Sequence, residues 1–259
     1  MNRLRKRIAL SLTGASMIIA MAAPMAANAA VTTFTGQDDG AAIGGTFTNS
    51  NAAWANFYNS ALSYSSLVST GFETLATGFS TSYALPTATL TLNAFNYGNE
   101  FSGISQGNTL GNLYGFDVGN GTGKWLGFPG GTATITFDGL SNSFGFYATG
   151  IQSTFGTVFQ VTYGDGTTST LDIPINDNGG VSFFGFTDSQ AFKSVTISRP
   201  GGDSGTDAWG IDNLTYGLTV AAVPEPSTWA MMILGIAGIG MAARRSRRKA
   251  TPALAFARA

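Results

Sequence analysis

The chain has 259 residues with neither cysteine nor histidine, which excludes disulfides, thiolate-bound zinc, iron–sulfur clusters, thiol nucleophiles, Ser-His-Asp hydrolysis and His-ligated metals. Its formal net charge of −1 hides an uneven distribution: ten of the 13 Lys and Arg lie in residues 1–29 and 244–259, leaving residues 31–223 with three cations against 13 carboxylates, a formal charge of −10. A body this acidic has no electrostatic footprint for nucleic acid, and its natural charged partners are cations.

At the N-terminus Arg3, Arg5, Lys6 and Arg7 form a positive segment and residues 8–23 an apolar one. Ala27-Asn28-Ala29 then supplies small residues at Ala27 and Ala29 for cleavage, so residues 1–29 read as a secretory signal peptide. Residues 30–220 are long enough for one domain with a real core. Residues 31–45 are rich in Gly, Ala and Thr, as in a leading loop or edge strand. Trp54, Phe57, Tyr58, Ala61 and Leu62 recur at helical spacing behind the possible N-caps Ser50 and Asn51, which predicts one amphipathic helix over 51–65 whose aromatic stripe packs on the core.

Beyond it the period becomes two. Runs at 87–95, 132–138, 143–151, 157–163, 168–173, 181–186, 191–198 and 209–216 alternate apolar and polar residues between Gly, Asn and Asp clusters. Gly164-Asp165-Gly166 is a hairpin signal between two of them. Many short strands at spacings near ten residues predict a mainly β fold, an antiparallel β-sandwich or jelly roll carrying one short N-terminal helix.

Three features of the body bear on chemistry. Asp203, Asp207 and Asp212 lie in a Gly-rich stretch where carboxylates and carbonyls would suit calcium, which takes six to eight oxygens, although no EF-hand spacing is present. Trp125 and Trp209 are candidate platforms for stacking sugars, but filling of the sandwich core or a strand end is the favoured reading, since Ile211 shares the face of Trp209. Asp203-Ser204-Gly205-Thr206 matches a string found in aspartic proteases, but no apolar strand precedes it and no second copy exists. A glycan hydrolase working with two carboxylates is the minority expectation, and no catalytic residue is assigned.

The C-terminal segment 221–249 has three parts: Pro224-Glu225-Pro226, an uncharged run over 229–243 beginning at Trp229, and the cluster Arg244, Arg245, Arg247, Arg248 and Lys249. The prolines keep Glu225 in an extended, accessible stretch. A C-terminal transmembrane helix is expected from the apolar run, with the cations held cytoplasmic. At about 1.5 Å per residue, however, its 15 residues reach roughly 22 Å against a hydrocarbon core of about 30 Å, which suits temporary residence. Residues 250–259 form a cytoplasmic extension.

With Pro224, Glu225, Pro226, Trp229, Ala230 and the Arg-rich end in this order, the segment closely resembles the PEP-CTERM sorting tail in its PEPxxWA variant, found on exported proteins of Gram-negative bacteria. The resemblance implies recognition by an exosortase-type processing enzyme, transient residence in the inner membrane, and delivery to the cell surface or extracellular matrix. It also implies a structural or adhesive role alongside exopolysaccharide or in biofilm. A secreted carbohydrate-binding or glycan-active protein is the alternative. The stretches Gly71-Phe72-Glu73, Gly139-Leu140, Gly164-Asp165-Gly166 and Gly210-Ile211-Asp212-Asn213-Leu214 loosely resemble β-sandwich ectodomains joined to such tails, and the last resembles the closing strand of carbohydrate-binding jelly rolls.

Overall fold

The computed structural model describes residues 30–94, 103–153, 156–199, 208–219 and 226–249. The expected signal peptide with Ala27 and Ala29, the positions Asp203, Asp207, Pro224 and Glu225, and residues 250–259 lie outside them. In chain order the elements are β1 (Val31–Asp39), α1 (Thr48–Ala61), β2 (Ser65–Thr70), β3 (Ser82–Leu85), β4 (Ala88–Ala94), β5 (Gly103–Gln106), β6 (Lys124–Phe128), β7 (Gly131–Thr149), β8 (Val158–Tyr163), β9 (Thr168–Leu171), β10 (Gly180–Arg199), β11 (Trp209–Thr219) and α2 (Pro226–Lys249). The fold is mainly β, and the strands form one 11-stranded antiparallel sheet.

Two long strands organise it. β7 and β10, of 19 and 20 residues, pair along most of their length, with register shifts between Thr187 and Phe192 and between Phe192 and Ser194. Before the shift, β10 pairs β1 on its free edge; after it, that edge takes β8. In the same way β7 takes β4 beside residues 131–137 and β11 beside 141–149. One half of the sheet therefore runs β1-β10-β7-β11 and the other β3-β4-β7-β10-β8-β9. Along the outer edge of β11, β6 pairs residues 209–211 and β2 pairs 214–219, and β5 adds to β6.

The halves meet through their aromatic residues. Phe159 of β8 lies 5.0 Å from Phe184 of β10 and stacks on Phe146 of β7, while Phe137 from the early part of β7 lies 5.3 Å from Tyr216 of β11. Alternation is clean in β8 and early β7, which bury one face. Residues 141–149 are buried throughout, because α1 covers the other face with Phe57 against Phe183.

The sequence predicts separate strands at 132–138 and 143–151, and at 181–186 and 191–198; each pair is one bent strand, continuous through a short stretch where the register shifts. Asp188 is buried in that bend, where its carboxylate accepts hydrogen bonds from Tyr163 Oη at 2.7 Å and from the Gln190 amide at 2.9 Å, and its carbonyl from Asn142 Nδ2 at 2.7 Å. These bonds satisfy polar groups that the irregular register would leave unpaired.

Helix α1 starts three residues before its expected position and ends four earlier. Neither Ser50 nor Asn51 is its cap. Asp38 at the end of β1 performs that role from outside, accepting the Asn49 and Ser50 amides at 3.0 and 2.8 Å. Ser50 instead sits buried, its hydroxyl donating to the Val181 carbonyl at 3.1 Å. Ala53, Phe57 and Ala61 are the buried stripe, and Trp54 and Tyr58 sit half-buried on its shoulder. Phe57 reaches the sheet because Gly145 and Gly185 pair across β7 and β10 beneath it; a Cβ on either would lie 2.8 Å from the Phe183 ring and 2.9–3.1 Å from Phe57.

The expected C-terminal transmembrane segment is a helix, α2, yet among the described residues no helix is long and apolar enough to cross a membrane. The uncharged run is short, and Gly235, Gly238 and Gly240 dilute its hydropathy.

Candidate functional site

Midway along β11 the chain gains a residue. Asp212 lies opposite Tyr147 of β7 whereas Thr215 lies opposite Gly145, and within the irregularity Asn213 takes a left-handed φ of +47°. The two side chains diverge. Asn213 is exposed, whereas Asp212 is 1% exposed and accepts the Val118 amide at 2.9 Å and the Asn213 amide at 2.7 Å. Burial pushes the Asp212 carboxyl up to about 7, outweighing those two donors, and the neighbouring Asp117 adds to the shift.

Asp117 gathers the loop that follows it. Its Oδ2 accepts the amides of Asn120, Gly121 and Gly123 at 3.0, 3.0 and 3.2 Å. Gly123 lets two carboxylates approach the same backbone: a Cβ there would lie 2.5 Å from Glu73 Oε1 and 2.8 Å from Asp117 Oδ1. Glu73 is held by the Lys124 amide at 2.8 Å, and Lys124 Nζ donates to the Glu73 carbonyl at 2.9 Å. Glu73, Asp117, Gln106, Asn120 and Thr122 line a shallow acidic cleft of about 470 Å³.

Across Gly119 lies a larger cavity of about 730 Å³, between α1 and the β2–β11 edge. Trp54, Asn51, Tyr147, Ser69, Asn213 and Thr215 are among the residues that line it, and none of the lining residues is charged. Tyr147 Oη donates to Asn51 Oδ1 at 2.9 Å, fixing that amide. Burial, with the carboxylates of Asp38 and Asp212, holds the Tyr147 hydroxyl well above its ordinary value, so it stays a donor. Trp54 is backed by Tyr58 at 5.2 Å, and the hydroxyls of Ser69 and Thr215 are 3.1 Å apart. Such a cavity offers an aromatic surface, amides and hydroxyls.

The sequence candidates fall elsewhere. Trp125 and Trp209 are fully buried, Trp125 with Nε1 donating to the Gly107 carbonyl at 2.9 Å and Trp209 edge-on to Phe128 at 5.6 Å. Neither presents a face to a glycan; large rings at the β6–β11 pairing fill the end of the core. Of the expected calcium ligands, Asp212 is described, and it turns inward to Asp117. Among the described residues no group of three or more acidic side chains is placed to hold a metal ion. Sequence reasoning assigned Trp54 to the core stripe and passed over Asn213, Tyr147 and Asp117; the Asp-Asn pair interrupting an apolar strand was the available signal.

The tail is a different kind of site. In α2, residues Met231, Met232, Ile233, Leu234, Ile236, Ile239 and Met241 are between 53% and 72% exposed, and Arg244 is exposed beyond them. Apolar residues on every side of an exposed helix mark a surface that awaits a membrane or a protein. Residues 222–248 match the family model of the PEP-CTERM protein-sorting motif. The chain carries a PEP-CTERM sorting tail. The matched segment contains Pro224, Glu225, Pro226, Trp229, Arg244, Arg245, Arg247 and Arg248, and Pro226 opens α2, a position where a missing amide costs a helix nothing. A PEP-CTERM tail implies export by exosortase-type sorting, with transit through the membrane to the cell surface, and an exosortase-type enzyme as the processing partner. No curated protein matches the chain.

Proposed function

We propose that this protein is released from its PEP-CTERM tail by an exosortase-type enzyme and then serves as a structural or adhesive component of an exopolysaccharide or biofilm matrix. The observation that carries the reading is the sorting motif on an exposed apolar helix, joined to a mainly β body of high negative charge. Removal of the tail discards both the apolar surface and the five cations of residues 244–249, leaving an acidic β-domain suited to remain soluble among polysaccharides.

A non-enzymatic role fits the placement of Asp212. The one with its titration raised towards neutrality, Asp212, is 1% exposed and lines neither cavity, while the Asp117 oxygen that faces the loop is saturated by three amides. A general acid must reach its substrate. The experiment is intact-mass spectrometry of the protein recovered from medium and cell surface, in cells with and without the processing enzyme. Chains beginning near Ala30 and ending at the Pro224–Pro226 motif only when the enzyme is present support the reading; an unprocessed C-terminus in the membrane fraction of normal cells overturns it.

A further inference from the structure

The cavity beside α1 has features that packing of the fold does not require. Its volume of about 730 Å³ lies within the roughly 300–1,000 Å³ typical of small-molecule sites. Asn213 takes a left-handed backbone conformation in mid-strand, one that asparagine tolerates better than most residues, and the register irregularity there places it on the cavity wall. On the opposite wall Trp54 sits half-buried beside the buried stripe of its helix.

The lining selects a ligand class. Asn51 spends its Oδ1 on the Tyr147 hydroxyl, so its Nδ2 hydrogens remain as donors; Asn213 adds a second amide and Ser69 and Thr215 add hydroxyls. Amides offer a donor and an acceptor side by side, the arrangement that meets two adjacent hydroxyls. The indole of Trp54 complements an apolar face carrying C–H groups. A molecule with a flat C–H face and a rim of hydroxyls is a sugar ring. Charge decides which kind: the cavity contains no cation, it adjoins the acidic cleft of Glu73 and Asp117, and the body around it carries −10, so uronate, sulfate and phosphate groups are repelled.

We infer that the cavity between α1 and the β2–β11 edge binds a neutral saccharide unit, stacked on Trp54 and hydrogen-bonded by Asn51 and Asn213. The biological sense of this site rests on the adhesive reading above, but its occupancy does not depend on sorting.

The test titrates the purified full-length protein with cellohexaose, laminarihexaose and mannohexaose, and with trigalacturonic acid as the anionic control, followed by tryptophan fluorescence and calorimetry. At least one neutral hexaose binds; Trp54→Ala weakens it about tenfold and Trp54→Phe restores part of the loss. Asn213→Gly, which accepts the φ of +47° without strain, weakens binding while the melting temperature does not fall. Absence of binding by all three hexaoses, preference for trigalacturonic acid, or binding indifferent to both Trp54→Ala and Asn213→Gly overturns the assignment. Binding in a protein whose tail proves unprocessed in cells would uphold the cavity and remove the sorting-based role, so the two failures are separable.

Discussion

Phe184 and Leu234 are both large apolar residues, yet one is wholly buried among Phe146, Phe159 and Phe186 while the other stands 66% exposed on a helix. The contrast separates the two tasks of the chain. In the body, apolar surface is consumed by folding; in the tail it is kept available for recognition. Composition and periodicity both distinguish them: the body is rich in phenylalanine, has no methionine and alternates with a period of two, whereas the tail run is built mainly from Met, Ile, Ala and Gly and is apolar without interruption.

The contrast is sharpened most by a core deletion. Phe184→Ala should destabilise the body by about 3–5 kcal/mol, measured by chemical denaturation, because its partners cannot collapse into the space. A loss of under about 1 kcal/mol would mean that the two halves of the sheet are not packed as described.

The next effect is one of pH. An unfolded Asp titrates near 3.8 and folded Asp212 near 7, so between those values the native state holds a proton that the unfolded chain has released. Raising the pH through this window therefore favours unfolding: the contribution is full below about pH 3.8 and is lost by about pH 7. Its size is on the order of 2–4 kcal/mol. Asp212→Asn should flatten that part of the stability curve, and a curve of unchanged slope would remove Asp212 as its source.

Asp38→Ala should cost about 1–2 kcal/mol by freeing the first amides of α1. It should also weaken near-surface order around Trp54, seen as faster hydrogen exchange in residues 48–54. At the small end, Leu234→Ala should change body stability by less than about 0.5 kcal/mol while altering tail processing in cells. A large stability change there would show that α2 packs on the body after all.

These contrasts explain what the sequence reveals. The sorting tail is fully legible because a processing enzyme must read it as a linear string, so residues 224–248 carry their meaning without a fold. Strands β4 and β8 are legible because each buries one face and alternates. β2, with the sequence SSLVST, is not, since it has no apolar alternation and is specified by pairing to β11. The bends inside β7 and β10 are illegible for a related reason: Gly139-Leu140 and Asp188-Ser189-Gln190 look like turns, and only the partners of Asp188 show that the chain stays extended. The sugar cavity is assembled from residues near 47, 54, 70, 118, 147 and 213, so no local pattern announces it. Trp125 and Trp209 are core residues, the reading that the strand position of Trp209 already favours.

The position of β11 bears on the order in which the molecule can come into being. It is the last strand of the body, yet it lies inside the sheet, between β7 on one edge and β2 and β6 on the other. A chain exported N-terminus first therefore cannot close its sheet until Thr219 has emerged, immediately ahead of the matched segment that starts at residue 222. Truncation before Trp209 should leave the secreted product sensitive to protease, whereas loss of residues after 221 should not. The sorting tail thus follows the closing strand directly in the chain, so any step that acts on it comes after the whole sheet is available to close.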